Sequence, residues 1–330
     1  MNSSFERAAA AADPETALAV AANVTAAADL DKYAEVDARP AVAAPAIERV
    51  VRGPWRGAAR LQTCITAASL AVVGALVVCA LFPEAIAPYP AGEMQASSIL
   101  VPPFSVPHPL GTDQFGRDVL SLIVFGARRS LLVALLSAAA SMATGVFVGL
   151  TAGYAGGLLD TIAMRLVDVW MAVPAVLLSI AVCAALGPSL PTLILSVSAA
   201  LAPRYARLLR GHALSLRTRG FVEAARVSGS SHTAVVVKHV LPHCTGPILV
   251  LGTIGTGWAI LIGSALSFLG FGVEGDRPDW AYLIAQGRSY LAMAWWTVTF
   301  PGLAISAFVV ATNLLGDSLR RSLDPRGAGR

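Results

Sequence analysis

Six predominantly apolar stretches punctuate the chain, at about residues 63–82, 130–152, 163–186, 190–208, 243–268 and 294–315, and the segments between them carry most of the charge. Each approaches the roughly 20 residues that cross a bilayer core of about 30 Å at about 1.5 Å per residue. The pattern predicts six transmembrane helices and an all-α integral membrane protein. The second stretch is the cleanest. The third opens on Asp160, Arg165 and Asp168 and contains Pro174, while the fourth gives the weakest signal.

Composition agrees with the pattern. Hydrophobic residues make up 56% of the chain and charged residues 13%, against about 25% charged in soluble domains. The arginines then orient the spans, because positive flanks stay on the cytoplasmic side. Arg49, Arg52, Arg56 and Arg60 precede the first span; Arg204, Arg207, Arg210, Arg217, Arg219, Arg226 and Lys238 fill the loop between the fourth and fifth; Arg320, Arg321, Arg326 and Arg330 follow the sixth. Six spans put all three groups on one side, N-in and C-in. The pair Arg128–Arg129 on the other side runs mildly against the rule. The net charge of +4 reflects this topology, and nothing in it reads as a nucleic-acid surface.

The expected organisation is a mobile, disordered cytoplasmic tail over residues 1–55, a transmembrane domain over 56–326 with its long basic loop at about 204–242, and a short tail at 327–330. The first segment is Ala-rich, has few large apolar residues with which to bury a core, and lacks the pattern of a signal peptide. Cys64, Cys79, Cys183 and Cys244 lie in or beside spans without CxxC spacing and read as small buried apolar thiols. His239 and His243 stand at i, i+4, a spacing that can hold zinc, but Pro242 lies between them and a third ligand is missing. No phosphate-binding loop is present, and Lys32 and Lys238 are the only lysines. No catalytic residue, metal site or cofactor site is expected in this chain.

Several local features have physical readings. Ser141, Gly145, Gly149 and Gly153 recur every four residues on one face of the second span, and small residues mark helix contacts in lipid because they allow close backbone approach. Arg165 and Asp168 form a candidate ion pair at i, i+3 at the mouth of the third span, and Asp317 and Arg321 another at i, i+4 at the end of the sixth. Asp113 is a candidate cap for an amphipathic segment with Phe115, Val119, Leu122 and Ile123 on its apolar face. Trp280, Tyr282, Tyr290, Trp295 and Trp296 fit an aromatic belt at the outer interface.

The most specific pattern lies in the long basic loop. Gly220-Phe221-Val222-Glu223-Ala224-Ala225-Arg226-Val227-Ser228-Gly229 is followed after a gap by Leu241-Pro242. Phe221, Ala224, Ala225 and Val227/Ser228 predict a short helix with an apolar side, and Gly229 predicts its end in a positive-φ turn. Glu-Ala-Ala, three residues, Gly, nine residues, then x-x-Leu-Pro resembles the cytoplasmic loop of ABC importer permeases. The stretch from His108 to Asp118, with Asp113, Gly116, Arg117 and Asp118, extends the resemblance, as do Ser267–Gly272 and Asn313–Pro325. Over about residues 60–326 the chain is similar to the second, shorter permease of the dipeptide/oligopeptide/nickel family.

That resemblance implies a type I ABC importer permease fold in a bacterial plasma (inner) membrane. It implies a homologous permease partner, two cytoplasmic ATPase domains that bind ATP and Mg, and an extracytoplasmic binding protein. Phe221, Glu223, Ala224, Ala225, Gly229, Leu241 and Pro242 would couple the permease to an ATPase. The expected cargo is peptide, with nickel chelates or glutathione as the alternative. An integral-membrane enzyme would need a polar cluster of catalytic residues, and an ATP-independent carrier or channel would have no use for this loop.

Overall fold

The computed structural model describes residues 56–272 and 279–323. The expected tails and the end of the Asn313–Pro325 stretch lie outside them. Each of the six apolar stretches corresponds to helix: α1, Arg56–Leu81; α2, Val119–Ala155; the pair α3, Gly157–Ala172, and α4, Ala175–Leu186; α5, Leu190–Arg217; α7, Leu241–Leu266; and α9, Trp296–Leu323. Two eight-residue helices lie between them, α6, Gly220–Val227, in the basic loop, and α8, Trp280–Gly287, between α7 and α9, and single helical turns stand at Pro83–Ile86 and His232–Val235.

Three elements differ from the expectation. First, α2 runs for 37 residues from Val119, about 55 Å at 1.5 Å per residue, so it begins well before residue 130. Its cap is Asp118, which accepts from the Ser121 N–H at 2.8 Å and the Ser121 hydroxyl at 2.8 Å. Asp113 instead organises the turn before it, and no separate amphipathic helix forms there. Second, the third span is not one helix: α3 and α4 meet at 90°. Pro174 cannot supply the N–H that would continue α3, and it holds Val173 extended at φ −85°, ψ 127°. Third, α5 continues to Arg217. Among the described residues, four helices and the bent pair are long and apolar enough to cross a membrane. Helix α5 is not among them because Arg204, Arg207 and Arg210 dilute its second half, while its apolar residues Leu193, Val197, Leu201, Tyr205 and Leu209 are buried in protein.

Helices α2 and α5 form the most extensive helix pair. A Cβ on Gly145 would lie 2.9 Å from the Ala202 carbonyl oxygen, one on Gly149 3.0 Å from the Arg210 nitrogen, and one on Gly153 2.7 Å from the Arg210 oxygen. Ser141, one turn earlier, is fully buried. The small-residue face therefore sits directly on the backbone of α5 of the same chain. Ion pairs add α3 to this body. Arg210 grips Asp160 with two bonds, Nε to Oδ1 at 2.5 Å and a terminal nitrogen to Oδ2 at 2.7 Å, and Arg207 pairs with Asp168. Asp168 thus binds across helices rather than to Arg165. On α9, likewise, Arg321 reaches the Ser318 hydroxyl at 3.3 Å rather than Asp317.

The tryptophans divide. Trp280 and Trp296 are interior pins, donating to the Ile123 carbonyl at 2.8 Å and the Thr112 carbonyl at 2.9 Å, whereas Trp295 and Tyr290 are exposed. Asp279, between the last two spans and outside both, caps α8 by accepting from the Tyr282 N–H at 2.7 Å, and it accepts from the Ser267 hydroxyl at 3.0 Å. Burial pushes its carboxyl above the usual range, against the pull of those bonds and of the Arg129 charge.

Two predictions follow from this packing. Gly149→Val drives branched carbons into the α5 backbone and lowers the melting temperature of the purified protein, by the equivalent of about 1–3 kcal/mol. Gly211→Ala, whose Cβ meets nothing within 4 Å, does not; equal effects would refute the contact. At Asp279 folding raises the pKa, so the associated stability is full below the unfolded value and is lost as pH rises through the folded one. Asp279→Asn, whose oxygen can accept from the Tyr282 N–H while its amide donates to the Ser267 hydroxyl oxygen, therefore raises the melting temperature at pH 8, with a gain that shrinks as pH falls. A lower melting temperature at pH 8 would contradict this.

Candidate functional site

Helix α6 is only eight residues long, too short to be stable by itself. Glu223 in its first turn and Arg226 in its last complement the helix dipole. At its end the Gly229 N–H bonds to the Arg226 carbonyl at 3.0 Å and the Ser230 N–H to the Ala225 carbonyl at 3.1 Å. This paired closure is a Schellman motif. Gly229 sits at φ +81° with open space around it, so the left-handed backbone, not crowding, selects glycine.

The face that α6 turns inward is Val222, fully buried, with Ala225 half-buried beside it. They join a cluster of Leu150 and Tyr154 from α2, Leu209 and Ala213 from α5, and Val235, Val240 and Cys244. Phe221, Ala224 and Val227 lie instead on the outward side; Val227 is 89% exposed and Phe221 38%. The apolar side expected from sequence is therefore split, with Ala225 in and the other residues out. Glu223 is also exposed. The result is a small outward surface of Phe221, Glu223, Ala224 and Val227 on a short helix with a buried footing, suited to insertion into a partner's apolar groove.

The chain restarts at Ser231, whose hydroxyl accepts from the Ala234 N–H at 3.3 Å. Helix continues through a π turn at Val236–Val240 into α7. Pro242 explains the wide turn: its ring clashes with a carbonyl four residues back and it has no N–H to donate. Leu241 packs against the buried cluster, and Pro242 is exposed. His243 donates from Nδ1 to the His239 carbonyl at 2.7 Å and stacks on Phe221, ring centroids 4.6 Å apart.

Tyr154, which the sequence reading passed over, meets both parts of this loop. Its hydroxyl accepts from Arg226 Nε at 3.1 Å and lies 3.3 Å from His232 Nδ1. The Arg226 guanidinium lies over its ring, 4.8 Å from the centroid. Leu150 and Tyr154, at i, i+4 beside the glycine face, were the available signal.

The outer motif is assembled as a turn before α2. Asp113 accepts from the backbone N–H groups of Phe115 and Arg117 at 2.8 and 2.9 Å and from Arg117 Nε at 2.7 Å. Arg117 also reaches Gln286 at 3.0 Å. Gly116 turns with φ +72°, and Asp118 meets His108 Nδ1 at 3.1 Å. These residues tie the outer segment to the start of α2 and to α8; they do not approach the α6 surface through any of these contacts.

Residues 145–328, more than half of the chain, match the family described as binding-protein-dependent transport system inner membrane component. The di/tripeptide transport system permease protein DppC of Pseudomonas aeruginosa is 39% identical over 256 residues, 76% of this chain and 84% of the relative. The dipeptide transport system permease protein DppC of Alkalihalophilus pseudofirmus is 36% identical over 83% of this chain and 90% of its own length. The glutathione transport system permease protein GsiD of Pectobacterium atrosepticum is 36% identical over 84% and 93%. The membrane-length helices and these matches together mean that the chain belongs to the binding-protein-dependent inner membrane component family, as a multi-pass ABC importer permease of the inner membrane.

Proposed function

We propose that this chain is the second, shorter permease of an ATP-driven peptide importer and forms half of its translocation path. A homologous permease supplies the other half, an extracytoplasmic binding protein delivers the peptide, and two cytoplasmic ATPase domains hold ATP and Mg. The chain carries no ATPase site of its own. The observation that carries the reading is the α6 surface, where Phe221, Glu223 and Ala224 face outward while Val222 is fully buried.

In this mechanism α6 docks into a groove on one ATPase. Small Ala224 permits close approach, and Glu223 supplies a charge that a basic rim can select. ATP-driven closure of the two ATPases displaces α6. Because the buried side of α6 is packed against α2 and α5, the spans move with it between inward- and outward-facing states. Both nucleotide and cargo must favour the same two states for this to be coupling. Peptide is the preferred cargo because two of the three relatives described above are named for dipeptide or di/tripeptide transport. Glutathione, itself a small peptide, is the nearest alternative.

The test is ATP hydrolysis by the lipid-reconstituted complex with binding protein carrying trialanine, glutathione, a nickel chelate or nothing. Stimulation by trialanine is expected; stimulation by the nickel chelate alone would overturn the peptide assignment. Glu223→Lys reverses the charge on the docking face and is expected to leave membrane levels normal while separating ATP hydrolysis from uptake. Gly229→Val forces a branched residue to φ +81°, at a cost of about 1–2 kcal/mol, and should produce the same phenotype by displacing the end of α6. Normal uptake at normal membrane levels by both variants would contradict the docking role.

A further inference from the structure

Helix α6 is joined to the spans covalently on both sides, to α5 through Thr218 and Arg219 and to α7 through Gly229 and Ser231. It also rests on α5 and α2, and the geometry of the α2 contact is directional. Tyr154 stands next to Gly153 at the end of α2, where close approach to the Arg210 oxygen seats the helix on α5. Tyr154 is 7% exposed. From this fixed base its hydroxyl reaches Arg226 on α6 at 3.1 Å and His232, beyond the Gly229 turn, at 3.3 Å. The Arg226 guanidinium covers the ring at 4.8 Å, and the His232 ring meets it edge-on at 5.9 Å. One phenol therefore holds the two sides of the Gly229 turn.

We propose that Tyr154 is a positioning residue for energy coupling: it joins α6 and the turn after Gly229 to α2, so that displacement of α6 is carried into α2 as well as along the chain into α5 and α7. The inference rests on the docking role given to α6 above. Without the tether, α6 keeps its outward surface and its Val222 footing, but the hinge at Gly229 can absorb motion that would otherwise reach α7, and α2 loses its polar hold on both sides of that turn. Arg226 serves the tether best as arginine, because its planar group donates from Nε while lying over the ring. Helix α2 suits the lever role by length: its 37 residues run unbroken from the outer turn capped by Asp118 to Tyr154 and Ala155.

The test uses the whole reconstituted complex and the ligand that stimulates hydrolysis in the assay above, trialanine on that reading. The readout is ATP hydrolysed per peptide transported, compared among wild type, Tyr154→Phe and Glu223→Lys. Tyr154→Phe keeps the ring and the apolar cluster and removes only the hydroxyl. Its ratio should rise about five-fold, the factor in an equilibrium that one ordinary hydrogen bond controls. A purely structural role would lower hydrolysis and transport together and leave the ratio unchanged. That result, or a wild-type ratio at normal rates, overturns the tether. A wild-type ratio for Tyr154→Phe beside an uncoupled Glu223→Lys removes the tether and keeps the docking role. An uncoupled Tyr154→Phe beside a normal Glu223→Lys supports the tether and removes the docking role assigned to Glu223.

Discussion

Helices in hydrocarbon gain little by hiding apolar side chains from one another, so their positions depend on close backbone approach and on polar contacts that lipid cannot satisfy. In this chain both meet along the α2–α5 seam. Gly145, Gly149 and Gly153 place one backbone on the other, with no room for a Cβ. The same stretch of α5 then presents Arg207 and Arg210 to Asp168 and Asp160 of α3. The glycine face and the ion pairs are parts of one arrangement, since the separation set by the glycines determines where Arg210 emerges. Helix α3 is held by this arrangement even though its continuation is broken at Pro174.

The seam also sets the base of the loop that holds α6. Leu150 and Tyr154 of α2 and Leu209 and Ala213 of α5 form the floor on which Val222 rests. An eight-residue helix cannot define its own place, so the orientation of Phe221, Glu223 and Ala224 is inherited from that floor. The Gly229 closure then separates α6 from the following turn while pairing the Ala224, Ala225 and Arg226 carbonyls. What emerges is a small surface that is rigid on the permease side and open on the other, as a mechanical contact requires.

The fold was largely legible because transmembrane length and hydropathy are local properties. All six apolar stretches correspond to helix, and the short helix and its glycine stop could be read from eight or ten consecutive residues. Pairings across the fold were not legible. Arg165–Asp168 and Asp317–Arg321 have favourable helical spacing, yet Asp168 chose Arg207, 39 residues away, and Arg321 turned to Ser318. Local spacing shows which groups can meet, while the helix seam decides which do. Asp113 and Asp118 failed similarly: either can cap a helix, and only the turn made by Gly116 and Arg117 assigns the cap to Asp118. On α6 the short apolar pattern could not tell inward Val222 from outward Phe221. Tyr154 was passed over because its partners lie 72 and 78 residues away.

The central claim is that the outward face of α6 contacts an ATPase. The most direct measurement places a photo-crosslinking amino acid at Ala224 in the intact complex, with a second at Phe104, which is 88% exposed in the segment before α2. The account predicts an adduct between position 224 and an ATPase subunit and none from position 104. Failure of position 224 to capture an ATPase, in a complex that still transports, would contradict it.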